Sequence, residues 1–281
     1  MPETDRRRDA TLAPVKATYE TWGREDPFYA VLTSKRRRGN QWDPEVFFDR
    51  GRREVDDVID YVDGLSLRPG TARALDFGCG VGRLTFALAD RFDEVVGVDI
   101  AESMVDCARR WNDRGERVRF VANARADLSL FADDSFDFVY SSITLQHVPP
   151  EAAANYVREF FRVLRPDGVA VFQMPNGPRI EPGSLRWRAY NLRRRVFRRW
   201  WKRLRGIPAY EMHWIARSRM TEVVDDGGGE LSPETLEGRL PPGDQRTDSR
   251  EEQQEERERP GHRVEELRTD GDAVAGQRLG E

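Results

Sequence analysis

Apolar residues concentrate between about position 55 and position 225, and both ends of the chain are polar. Inside the central stretch, short buried runs alternate with segments of helical spacing. Ala72–Phe77 reads as a short buried strand, followed by a glycine turn and a helix carrying Leu84, Phe86, Ala87 and Leu88. Glu94–Ile100 predicts a second strand and Ser103–Trp111 a second helix. Val118–Ala122, Phe136–Ser141 and Val169–Met174 predict three further strands, with a helix over Ala152–Val163. Strands alternating with helices imply right-handed crossovers and a doubly wound, mainly parallel α/β sheet with helices on both faces.

The flanks differ from this core, which is expected over 69–177. Residues 1–17 are arginine-rich with few large apolar side chains, and predict a disordered N-terminus. Residues 18–68 predict a helical cap, with an aromatic cluster of Tyr19, Trp22, Phe28 and Tyr29 and helical spacing through Val55, Val58, Ile59 and Val62. Those aromatics either pack on the larger domain or close over a ligand. Residues 178–206 hold ten arginines and one lysine among Trp187, Tyr190, Phe197, Trp200 and Trp201, and predict a basic amphipathic helical insertion. That helix suits a solvated face packing its aromatics, or contact with an anionic membrane or lipid-linked substrate; nucleic acid ranks behind both.

The end of the core is expected over 207–230, with one more helix over 209–226. Gly228-Gly229-Glu230-Leu231 begins as though entering a sixth strand. From 231 to 281 glutamate, arginine, glutamine, proline and glycine dominate, which predicts a disordered polar tail. The terminal strand hairpin is not recognisable, and the abrupt change resembles a truncated or out-of-frame end. Its absence would leave the fourth strand with an exposed edge and lower the stability.

Composition narrows the class. Across 281 residues the formal charge is −4, so global electrostatics select neither nucleic acid nor membrane. Two cysteines, Cys79 and Cys107, without a CxxC or metal-ligand cluster fit a reducing compartment and argue against a disulfide scaffold or structural zinc. The N-terminus MPETDRRRDA lacks a signal-peptide core, and no apolar stretch approaches the roughly 20 residues that span a bilayer, so a cytoplasmic location is expected.

The candidate chemistry centres on ALDFGCGVGRLT at 74–85. Glycines there permit positive φ and close approach of a ligand to the backbone, although any tight strand-to-helix connection can use them. Asp99 closes the next strand 19 residues beyond Gly80, where an acid accepts hydrogen bonds from ribose hydroxyls. Arg83 stands where a dinucleotide fingerprint has its third glycine, which disfavours a nicotinamide dehydrogenase. An acid at Asp76 suits the ammonium of an amino-acid moiety and repels a pyrophosphate.

LDFGCGVG, VVGVDIAESM, DLSLFADDSFDFVYSSITLQHV and FFRVLRPDGVAVF, in that order, resemble the motif series of class I S-adenosylmethionine-dependent methyltransferases, and most of all the small-molecule group. The resemblance implies a Rossmann-like fold with S-adenosyl-L-methionine as cofactor. It places Asp76, Gly78, Cys79 and Gly80 along the methionine part and Asp99 on the ribose. Ile100 would pack on the adenine with Met104 nearby, and Ser141 would sit close to the transferred methyl. The family's aspartate after the third strand falls on Ala124, so Asp127, or backbone groups at Arg125–Leu128, would have to meet the adenine.

The acceptor implied is an O, N or C atom of a small molecule or a glycan or lipid-linked compound. Methyl transfer from a sulfonium rests mainly on alignment. A base matters only when the acceptor must lose a proton, and His147 is the candidate, against a local structural role. His213 and Tyr29 are weaker candidates. A non-catalytic cofactor-binding or interaction module stays open because of Ala124 and the missing hairpin.

Overall fold

A computed structural model describes residues 3–177, 192, 212–231 and 273–278. Five parallel strands form the centre: β1 (Arg73–Phe77), β2 (Glu94–Asp99), β3 (Val118–Ala122), β4 (Phe136–Ser141) and β5 (Leu164–Gln173). Their side chains are buried almost throughout, as expected of strands covered on both faces. The spatial order β3-β2-β1-β4-β5 reverses direction between β1 and β4. That reversal opens a crevice at the carboxyl ends of those two strands.

Helices supply the two covering layers. On one face, α3 (Pro44–Gly64) buries Val55, Val58 and Val62 against the sheet and α4 (Arg83–Leu88), while its Phe47 packs with Phe28 and Trp42 in the aromatic cluster. Asp43 caps α3, accepting from the Val46 amide at 3.1 Å, and Pro44 opens the helix where no amide is needed. α5 (Glu102–Trp111) follows β2 on the same side. On the other face, α6 (Pro150–Val163) lays Tyr156, Val157, Phe160 and Phe161 on β4 and β5, joined by Met220, Val223 and Val224 of α7 (Arg217–Asp226).

Two expectations are corrected. The N-terminus is helical: α1 runs over Glu3–Glu25, followed by the short α2 (Pro27–Val31). Large apolar residues are scarce over 1–17, but the helix docks through buried Leu12 and Trp22 and a set of charged groups. Leu12 is 1% exposed in the α6-side core. Asp9 accepts from the Ala126 amide at 2.7 Å, Arg8 donates to Asn155, and Glu20 accepts from the Glu102 amide at 2.8 Å.

The sheet is also completed. β6 (Gly229–Leu231) and β7 (Ala273–Arg278) make it seven-stranded, with β7 antiparallel to both β5 and β6. β4, expected to carry the exposed edge, is interior, paired with β1 and β5; the edge that β7 covers belongs to β5, and part of the tail expected to be disordered supplies that strand. β6 has only three residues and β7 lies far along a polar segment, so neither carries a local hydrophobic signal. The basic helix expected over 178–206 lies outside the described residues apart from Leu192.

Leu12→Ala should lower the unfolding free energy by about 2–4 kcal/mol, read from the urea midpoint. An unchanged midpoint would mean that α1 is not docked.

Candidate functional site

The turn after β1 is built from three glycines at φ +80° (Gly78), +52° (Gly80) and +87° (Gly82). The Gly78 and Cys79 amides both donate to the Val98 carbonyl, at 2.7 and 3.0 Å, which folds the turn over the end of β2. A Cβ on Gly78 would lie 2.1 Å from Thr144 Oγ1, and one on Gly80 would lie 2.6 Å from Val31 Cγ2. The turn is thus closed in by the loop after β4 and by α2. That loop is itself strained: Ile143, a β-branched residue, sits at φ +60°, with its amide donating to Gln173 Oε1.

Two buried carboxylates frame the turn. Asp99 accepts from the Gly80 amide through Oδ2 and from the Ala101 amide through Oδ1, both at 2.9 Å, tying the turn to the end of β2. Burial pushes its carboxyl up to about 6, against the lowering effect of those backbone amides. Asp76 is 1% exposed and accepts from Thr85 Oγ1 at 2.6 Å through Oδ2, while Oδ1 has no partner among the described residues. Burial pushes Asp76 up to about 7. Cys79 is buried between them, and burial together with the two acids holds it as a neutral thiol, unsuited to nucleophilic work.

Ser141 is fully buried at the end of β4 and donates to the Phe77 carbonyl at 3.0 Å, bracing β1 against β4 where the strand order reverses. Ile100 is half-buried beside the turn, and Met104 is buried among Trp22, Phe28 and Ala101 of the aromatic cap. Asp76, Gly78, Cys79, Gly80, Asp99 and Ser141 therefore converge on the mouth of the β1–β4 crevice, with Ile100 and Met104 adjoining.

Asp127 and Leu128 do not join them as expected. The Asp127 carboxylate is held by Arg125 at 3.0 Å and by Ser129 Oγ at 2.7 Å, which keep it below the usual carboxylate range against the effect of burial. Asp127 lines a separate surface cavity of about 420 Å³ with Arg8, Asn155 and Arg162. Leu128 is fully buried in the core. The amides of Arg125, Ala126 and Leu128 already donate to Asn123 Oδ1, Asp9 and Glu159. The residue that shapes this loop is Asn123, whose side chain donates to the Asp127 carbonyl at 2.7 Å and whose amide donates to the Asp99 carbonyl at 2.8 Å. A polar side chain directly after a buried strand was its only signal in the sequence.

His147 ends the 3-10 turn Leu145–His147 beyond β4. It is half-buried, with its ring edge-on to Tyr19 of α1 at a centroid separation of 6.0 Å. The His213 amide donates to the Gln146 carbonyl at 2.7 Å, which brings the segment entering α7 alongside. Tyr29 packs at 5.5 Å on Trp22 within the cap, with Arg38 over both rings.

Sequence reasoning missed Glu54 of α3, which pairs with Arg83 at 2.8 Å beneath the turn and accepts from Tyr140 at 3.0 Å. Its place three residues after Gly51 and four before Val58 was the available clue, since it puts a charge on the buried face of the helix.

A family model described as a methyltransferase domain matches residues 74–168, the stretch that holds the turn, both carboxylates and the strained loop. Among known proteins, phosphoethanolamine N-methyltransferase 1 of Arabidopsis thaliana is 32% identical over 140 residues, covering 47% of this chain and 28% of that protein. Trans-aconitate 2-methyltransferase of Variovorax paradoxus is 37% identical over 125 residues, covering 43% of this chain and 45% of that protein. The chain thus spans less than half the length of these two relatives. In fold, the chain resembles magnesium protoporphyrin IX methyltransferase of Synechocystis, solved with bound SAH. That likeness has a TM-score of 0.56 at 18% identity, over 96% of this chain and 99% of the other.

Gly78→Ala should be destabilised by at least about 1–2 kcal/mol, because alanine at positive φ is strained and its methyl meets Thr144. Thermal melts of the two proteins check this, and equal midpoints would mean that the turn relaxes.

Proposed function

We propose that the chain is an S-adenosylmethionine-dependent methyltransferase acting on a small-molecule acceptor. The observation that carries this reading is the unpartnered oxygen of Asp76, buried at the mouth of the crevice and framed by a glycine turn that Asp99 anchors. An ammonium donor completes the hydrogen bonding of Asp76, and the remaining lone pairs of Asp99 suit ribose hydroxyls. A pyrophosphate would meet two carboxylates at the same place. The donor set fits an amino-acid-bearing nucleoside: Asp76 for its ammonium, Asp99 for its ribose, Ile100 and Met104 for the flat face of its base. When bound, the cofactor supplies a methyl group already activated on a sulfonium.

What the protein adds is alignment and exclusion of water. The cap closes in the turn through Val31, and the brace from Ser141 to Phe77 fixes the crevice mouth. His147 is the base we propose for an acceptor that must lose a proton. Its support is its half-buried place on the loop after β4, against the cap.

The acceptors named for the relatives, phosphoethanolamine and trans-aconitate, support a small molecule. The glycan, lipid and membrane expectations have no such support. Among the described residues no helix is long and apolar enough to cross a membrane. We propose a cytoplasmic location on the two buried free thiols, Cys79 and Cys107. The non-catalytic reading has lost one of its two supports, since the sheet is completed by β6 and β7; Ala124 remains.

Calorimetric titration with S-adenosylhomocysteine and with NAD tests the cofactor. The expected result is binding of the first alone, weakened in Asp99→Ala by about tenfold or more. Binding of NAD alone would overturn the reading, and binding of neither would favour the non-catalytic module.

A further inference from the structure

Three charged groups lie around the base of the glycine turn, Asp76 and Arg83 buried and Glu54 partly buried, and their pairing is unequal. Arg83, the first residue of α4, is 3% exposed. Its Nη1 lies 2.8 Å from Glu54 Oε2, and the other oxygen of Glu54 accepts from the Tyr140 hydroxyl at 3.0 Å. Left to burial, Glu54 would rise, but the Arg83 charge and the hydrogen bonds from Arg83, Ser142 and Tyr140 hold it below the usual range. Asp76 receives one side-chain hydrogen bond, from Thr85. Asp76 Oδ1 and Arg83 Nε are both buried without a partner among the described residues. The charge of Arg83 still acts on Asp76, lowering a carboxyl that burial raises. One buried cation thus acts on two anions, the buried Asp76 and the partly buried Glu54, and is paired with Glu54.

We propose that Glu54 is a positioning residue that holds Arg83 away from Asp76, so that Asp76 Oδ1 stays available for the ammonium of the cofactor's amino-acid moiety. An unpaired buried guanidinium seeks the nearest anion, because burying it uncompensated is strongly unfavourable. Without Glu54, the Arg83 charge is left to act on Asp76, whose carboxyl it already lowers. Glu54 lies on α3, so the docking of the cap helix and the affinity for the amino-acid end of the cofactor are coupled through one ion pair. This inference rests on the proposed cofactor.

The test compares S-adenosylhomocysteine with 5′-methylthioadenosine, which shares the nucleoside and thioether but lacks the amino acid. In the full chain, Glu54→Met should weaken S-adenosylhomocysteine by on the order of tenfold and leave methylthioadenosine nearly unchanged. Adding Arg83→Met removes the freed cation, and should restore S-adenosylhomocysteine binding to near the wild-type value. Exchanging a buried ion pair for two apolar side chains of similar volume keeps the fold, so the double variant remains informative if the single variant does not fold. Equal weakening of both ligands in Glu54→Met, no weakening of either, or loss of S-adenosylhomocysteine in the double variant would overturn the proposal. A wild-type protein that binds neither compound would instead overturn the cofactor reading.

Discussion

Burying a carboxylate while leaving one of its oxygens unused destabilises the folded chain by about 1–3 kcal/mol, and Asp76 does so at the end of the first strand. The surroundings show how such a group is tolerated. Thr85 satisfies one oxygen, Arg83 supplies a positive charge nearby, and burial raises the carboxyl until it sits close to neutrality at physiological pH. The nearby cation Arg83 is paired with Glu54, and among the described residues the free oxygen has no partner. A ligand that brings an ammonium removes the deficit.

The rest of the molecule positions that carboxylate. The reversal of strand order between β1 and β4 opens the crevice, Ser141 fixes its width by bonding to Phe77, and Asp99 holds the glycine turn against β2. The cap then closes over it. α1 is fastened at two places along its length, by Asp9 on the loop after β3 and by Glu20 on the N-terminal turn of α5, where a carboxylate is favoured by the exposed amides. Both fastenings are charged groups on backbone amides, which break more readily than buried apolar contacts.

The central strands and the turn were legible because buried parallel strands are short apolar runs, and a glycine turn must use glycine. Asp99 was legible by its distance from Gly80. α1 was not, because Asp9, Arg8 and Glu20 dock it through polar contacts that look like solvated charge in a linear sequence. β7 was not, because it is joined to the sheet by long-range pairing and lies far along a polar segment. The assignment of Asp127 failed because Arg125 and Ser129, its own neighbours, occupy its carboxylate. Glu54 could have been found from its helical phase, but its partner Arg83 was read only as a missing glycine.

The protonation of Asp76 offers the most direct measurement. An acid raised to about 7 holds a proton over much of its population at pH 6.5, and a cation placed against it favours the ionised form. Binding of S-adenosylhomocysteine should therefore release a proton. Titration calorimetry at pH 6.5 in two buffers of different ionisation enthalpy counts that proton. Release of up to about three-quarters of a proton, lost in Asp76→Asn, is the predicted result. Binding with no proton release, or release unchanged in Asp76→Asn, would contradict the central role given to Asp76.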